Sequence, residues 1–144
     1  MNWKTEAVEK LKSYDAMRKS AENIPEELRR LELAATGIRS AAIGEMSVKG
    51  NGRREDALLS IMMQKQELQW ALEQAQLWIR TTNRALGALS SEEKLILYRL
   101  YMYPEKGSVE RLCNDLGVEQ SSIYRKRDRA LQKFTLAFYG KAIN

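Results

Sequence analysis

Residues Ser108–Phe134 read SVERLCNDLGVEQSSIYRKRDRALQKF, a short helix, a glycine turn and a second helix crowded with Arg and Lys. Leu112 and Leu116 lie four residues apart on one face of the first helix, and Gly117 supplies the left-handed backbone that stops it. Ile123, Ala130, Leu131 and Phe134 give the second helix a buried stripe. This spacing predicts a helix-turn-helix. The other side of the second helix carries Gln120, Ser121, Ser122, Tyr124, Arg125, Arg127 and Arg129, residue types that reach phosphates and base edges in a major groove. The expectation is a helix that reads double-stranded DNA.

The first turn of such a helix points into the groove, and later turns follow the backbone. Gln120, Ser121 and Arg125 are therefore the base-contact candidates, with Arg125 suited to guanine and Gln120 to adenine. Ser122, Tyr124, Arg127, Arg129 and Lys133 are the phosphate-contact candidates, each charged contact adding salt dependence and no sequence information. The competing reading is a solvated helix face, which rarely carries four cations within Arg125–Arg129 beside a turn of this spacing. Cys113 reads as a small residue where two helices cross rather than as a redox group.

Charge is unevenly placed along the chain. From Glu119 to Asn144 the net charge is +4, out of +5 for all 144 residues, so a basic patch is confined to one terminal segment, as a polyanion partner requires. With 44% hydrophobic and 30% charged residues the chain has the balance of a soluble globular protein that can bury a core. One cysteine and no histidine exclude an intramolecular disulfide, a Cys/His zinc site and histidine catalysis. The sequence nominates no catalytic residue, no metal ligand and no cofactor. No signal-peptide core follows Met1, and no apolar stretch approaches the roughly 20 residues of a membrane span, so the expected location is a cytoplasm, without membrane partners.

Upstream, residues 3–22 read as a helix with Ala7, Leu11, Tyr14 and Ala21 on one side, and Ile24-Pro25-Glu26-Glu27 restarts the chain as a second helix, the alternative being one kinked helix. Leu28, Leu31, Ala35, Ile38 and Ala42 carry that second helix, and the glycine-rich stretch at about 44–54 reads as a flexible loop. From Glu55 to Leu89 runs the longest helical signal. Leu58, Ile61, Lys65, Leu68, Leu72, Ala75, Ile79, Thr82, Leu86 and Leu89 alternate at intervals of three and four, a coiled-coil seam whose obvious partner is the N-terminal helical pair. A second row, Met63, Trp70 and Leu77, recurs every seven residues on another face. Either the N-terminal helices wrap both faces, or the second row joins another subunit, a dimer being favoured. Ser90-Ser91-Glu92-Glu93 is a capping box that opens a new helix, ending near Tyr103-Pro104.

The segment Leu89–Phe134 resembles region 4 of the sigma-70 family: a helix opened by Ser-x-Glu-Glu, then a two-helix reader with the turn Leu116-Gly117-Val118 and Arg129-Ala130-Leu131 in its second helix. Over its whole length the chain resembles the phage-encoded late-gene transcriptional regulators of the ArpU and RinA kind. That likeness is carried by the glycine loop before Glu55-Asp56-Ala57-Leu58-Leu59, by Arg84-Ala85-Leu86 before Leu89-Ser90, and by Tyr124-Arg125-Lys126-Arg127-Asp128-Arg129-Ala130-Leu131. Two positions depart from the sigma pattern: Glu119 stands where Ser or Thr more often caps the reading helix, and Lys126 where an aliphatic residue is expected.

The expected fold is all-α: an N-terminal helical coiled-coil or hairpin region, 1–89, with one long helix, followed by a sigma region 4-like helix-turn-helix module, 90–144. The resemblance implies a sequence-specific DNA-binding regulator of transcription, phage or prophage encoded, acting in a bacterial cytoplasm and possessing no enzyme activity. Its rivals are a DNA-recognition subunit of a phage packaging machine, similar to small terminase subunits, and a sigma-like protein that binds RNA polymerase without touching DNA.

Overall fold

The computed structural model describes residues 2–44 and 51–140, and among them every element is helical. The helices are α1 (Trp3–Lys12), α2 (Tyr14–Gly44), α3 (Asn51–Gly87), α4 (Ser91–Leu97), α5 (Ser108–Leu116) and α6 (Gln120–Tyr139), with a π-helical turn at Tyr98–Met102 continuing α4. The chain forms two compact units, Met1–Met17 with Leu77–Asn144, and Arg18–Gln76. The division does not follow the expected boundary at 89/90. Ala7, Leu11, Ala85 and Leu89 share one core with Leu97, Met102, Ala130, Leu131 and Phe134, so α1 and the end of α3 pack with the C-terminal helices.

In that first unit, Asn2 caps α1 by accepting from the Lys4 amide at 2.9 Å. Ser13 ends the helix, its hydroxyl and amide both donating to the Glu9 carbonyl, at 2.8 and 3.0 Å. A serine hydroxyl competing for a backbone carbonyl is a local alternative to helix continuation. The Lys10 ammonium lies 5.0 Å from the Trp78 ring, 5.1 Å from Phe138 and 5.4 Å from Tyr139, which fastens α1 to the C-terminal end of α6. The expected capping box is present, with Glu93 N donating to Ser90 Oγ at 3.2 Å and Ser90 N to Glu93 Oε1 at 2.9 Å.

The break expected at Ile24-Pro25 is not there, because Pro25 lies inside α2. A proline in a helix interior costs about 3 kcal/mol through one lost amide and a crowded carbonyl. Burial of the adjacent Ile24 and the ion pairs Arg29–Glu26 and Arg30–Glu27 in the next turn support the continuous helix. Of the stretch expected as a loop at about 44–54, Gly44 and Asn51–Arg54 are helical, and residues 45–50 lie outside the described residues. Gly52 meets nothing within 4 Å. In an exposed first turn its conformational freedom costs too little to stop a helix that Leu58 and Ile61 anchor downstream.

Within Arg18–Gln76, Ile24, Ala35, Ile61 and Ala75 are buried. The Lys65 ammonium, a polar break in the expected seam, reaches Glu32 of α2 at 2.5 Å. The hydrogen bond and charge of Lys65 hold the Glu32 carboxyl below its ordinary range. Leu58, Leu68 and Leu72 are half-buried, so the seam side of α3 is the covered side. Met63 and Trp70 are not covered; they stand 55% and 64% exposed.

Candidate nucleic-acid interface

Helices α5 and α6 meet through Gly117, which adopts φ 65° and donates its amide to the Cys113 carbonyl. Leu112 and Ile123 close on Ile96 of α4, with Leu95, Leu100, Cys113, Leu116 and Val118 around them. Cys113 thus packs at the approach of the two helices. Further along α6, Ala130, Leu131 and Phe134 enter the core shared with α1 and the end of α3. One stripe of α6 is therefore fixed at two places along its length, and the opposite face is left open. Glu119 precedes α6 without capping it through its side chain; its carbonyl instead accepts from Ser122 and Ile123, at 3.0 and 3.2 Å.

Exposed along α6 are Gln120, Ser121, Tyr124, Arg125, Arg129 and Lys133, with Ser122 and Arg127 half-buried; Arg125 and Arg129 stand opposite the buried stripe, whereas Gln120 and Tyr124, in the first turns, are in line with Leu131. The cations of α6 fall into two groups. Lys126 and Lys133 turn back to the first turn of α4, Lys126 to Glu92 at 2.7 Å and Lys133 to Glu93 at 3.0 Å. Arg127 pairs with Asp128 at 3.0 Å, and Asp128 also takes Lys4 of α1 at 3.4 Å. Arg125 donates to the Ser122 hydroxyl at 3.2 Å, and among the described residues neither Arg125 nor Arg129 makes an ion pair. The cations of α6 that make no ion pair among the described residues are thus Arg125 and Arg129, one turn apart.

Lys126 is half-buried, and its ammonium reaches Glu92 in the first turn of α4. At Glu93 burial works against the charged form, but the Ser90 amide, the Lys133 ammonium and the Ser90 hydroxyl outweigh it and hold the carboxyl below its ordinary range. Asp128 is likewise held low, desolvation being outweighed by Arg127 and Lys4. Burial pushes the Tyr101 phenol up, although the neighbouring Arg127 opposes it. These partners of α6 were invisible to spacing because Glu92, Glu93, Tyr101 and Lys4 are remote from it in sequence.

Two grooves lie on other elements of the same unit. A polar cleft lined by Tyr98, Arg99, Tyr103, Glu105, Arg111 and Asp115 has a volume of about 350 Å³, its arginines neutralised as Arg99–Asp115 and Arg111–Glu105. An apolar groove of about 460 Å³ runs over Leu86, Leu95, Tyr98 and Met102, with Lys94 at its rim. Among the described residues, no group of acidic or cysteine side chains could hold a metal ion, and no helix is long and apolar enough to cross a membrane. Compared with family models, curated proteins and solved structures, the chain matches none.

Proposed function

We propose that the protein is a sequence-specific DNA-binding regulator of transcription, encoded by a phage or prophage, that places the open face of α6 in the major groove of duplex DNA. The observation that carries this reading is the sorting of charge on α6. Lys126, Arg127 and Lys133 are matched by carboxylates of the same unit, whereas Arg125 and Arg129 remain unmatched on the side facing away from both cores. Unmatched arginines beside exposed Gln120 and Ser121 suit a partner that offers both phosphates and base edges. Ser122, Tyr124, Arg127 and Lys133 are weaker phosphate candidates than Arg129, because all four already have partners in the free protein.

A second copy of the chain covers Met63, Trp70 and Leu77, which are 55%, 64% and 51% exposed. A dimer of this kind presents two reading helices to two half-sites. No chemistry is performed, and the setting is a bacterial cytoplasm. A second reading, a protein that binds RNA polymerase without touching DNA, is favoured by the apolar groove at Leu86, Leu95, Tyr98 and Met102, which suits a hydrophobic side chain of another protein. The packaging-subunit reading predicts rings rather than dimers.

Selection of bound fragments from random duplex separates these readings. The DNA reading requires an enriched motif, and Arg125→Ala should then weaken binding to that motif by roughly 1–3 kcal/mol while costing much less on random duplex. Equal losses on both would remove Arg125 from base reading.

A further inference from the structure

Three residues of α6 form a chain of contacts that ends at Gln120. Gln120 Nε2 donates to the Tyr124 hydroxyl at 3.1 Å. A carboxamide turned end for end would put its oxygen on the same hydroxyl, so the contact fixes the amide plane in either orientation. The Tyr124 ring packs under the Arg127 guanidinium, 4.9 Å from the ring centroid. Arg127 is itself held: its Nε lies 3.1 Å and its Nη2 3.0 Å from Asp128 Oδ1, its side chain is only 28% exposed, and it lines one surface groove together with Tyr101 and Lys4. Lys4 of α1 braces the same carboxylate oxygen at 3.4 Å. The anchor is therefore α1 and the π-helical turn, and the free end is the amide in the first turn of the reading helix.

We propose, resting on the reading that α6 enters duplex DNA, that Tyr124 and Arg127 are positioning residues which hold the Gln120 carboxamide for one base, rather than contacts to phosphate. A carboxamide nitrogen carries two hydrogens. One goes to Tyr124, and the other, with the oxygen, remains for the paired acceptor and donor that adenine presents in the major groove. A glutamine already fixed gives up less side-chain freedom on binding, and a wrong base finds donor and acceptor in a plane that does not swing to meet it. Arg127 is poorly suited to phosphate, since reaching one would give up its paired contacts with Asp128, leaving that carboxylate to Lys4 alone, and would uncover the Tyr124 ring.

The test uses duplex selection with the full chain, Gln120→Ala and Tyr124→Phe. The phenylalanine keeps the ring under Arg127 and removes only the hydroxyl; because Tyr124 is exposed, the fold should be unaffected, as circular dichroism checks. Tyr124→Phe and Gln120→Ala should lose preference at the same single base pair, roughly tenfold for that base over its competitors. The preference read by Arg125 and the dependence of affinity on salt should be unchanged. If Tyr124→Phe lowers affinity for every duplex alike and leaves all base preferences intact, Tyr124 is a phosphate contact and the inference is overturned. It is equally overturned if Tyr124→Phe changes nothing while Gln120→Ala erases a preference. An unmodified protein that enriches no motif overturns the DNA reading, and the inference with it.

Discussion

The two compact units use their apolar side chains differently. In Met1–Met17 with Leu77–Asn144, Leu11, Ile96, Leu97, Leu112, Ile123, Leu131 and Phe134 are fully enclosed. Among the described residues of Arg18–Gln76 the buried hydrophobic ones are Ile24, Ala35, Ile61 and Ala75, while Leu33, Leu59, Met62, Met63 and Trp70 are each more than half exposed. Where several helices converge, a core can close on all sides. Two helical segments can cover only one stripe of each other, so a second apolar row on either one needs a further surface. The first unit has the construction of a self-sufficient module, and the second that of half an interface.

The largest expected effect breaks the closed core. Phe134→Ala should cost about 3–5 kcal/mol in a denaturant titration, since it empties a fully enclosed site. Trp70→Ala should leave the same titration nearly unchanged in the monomer. Next comes the interface. Trp70→Glu should raise the dimer dissociation constant about a hundredfold or more by light scattering, because a charge on an apolar contact costs several kcal/mol, while the C-terminal helices stay folded. A monomeric unmodified protein would remove the interface altogether.

A smaller effect separates the units by pH. Glu93 has its pKa lowered in the folded state from an ordinary 4.5, so its contribution to stability is present above that pH and is lost as the pH falls through the lower folded value. The thermal stability of the closed unit should therefore fall as the pH drops below about 4.5, and Glu93→Gln should flatten that dependence. Glu32, in the other unit, is also lowered, but its side chain is about half exposed to water, which screens its pair with Lys65. Glu32→Gln should change the profile far less. Equal flattening by both variants would contradict the contrast.

Much of this arrangement was legible in the residue pattern, and the exceptions have a common origin. Periodicity found the seam of α3, the buried stripe of α6, the Ser90–Glu93 capping box and the turn at Gly117, because each is a local rule operating within a few residues. Local rules also misled. Pro25 and the glycines near residue 50 carry strong breaking signals, yet α2 runs through Pro25 and α3 begins at Asn51, where a long apolar stripe outweighs one lost hydrogen bond or one flexible residue. The candidate site was legible as residue types on one face. Its sorting into matched and unmatched cations was not, since Lys133 and Glu93 are forty residues apart and Lys4 and Asp128 lie near opposite ends of the chain. The π-helical turn at Tyr98–Met102 leaves no local mark that periodicity detects.

The central claim is that the unmatched charge on α6 meets DNA, with Arg129 at a phosphate, and the salt dependence of duplex affinity measures that contact directly. Log affinity should fall linearly with log salt for the unmodified protein, and Arg129→Ala should flatten that slope by about one unit, the loss of one counterion-releasing contact. Lys126→Ala, whose ammonium already sits against Glu92, should leave the slope nearly unchanged. A slope that Arg129→Ala does not alter, or duplex binding that neither Arg125→Ala nor Arg129→Ala weakens, would contradict the account and leave RNA polymerase as the partner to pursue.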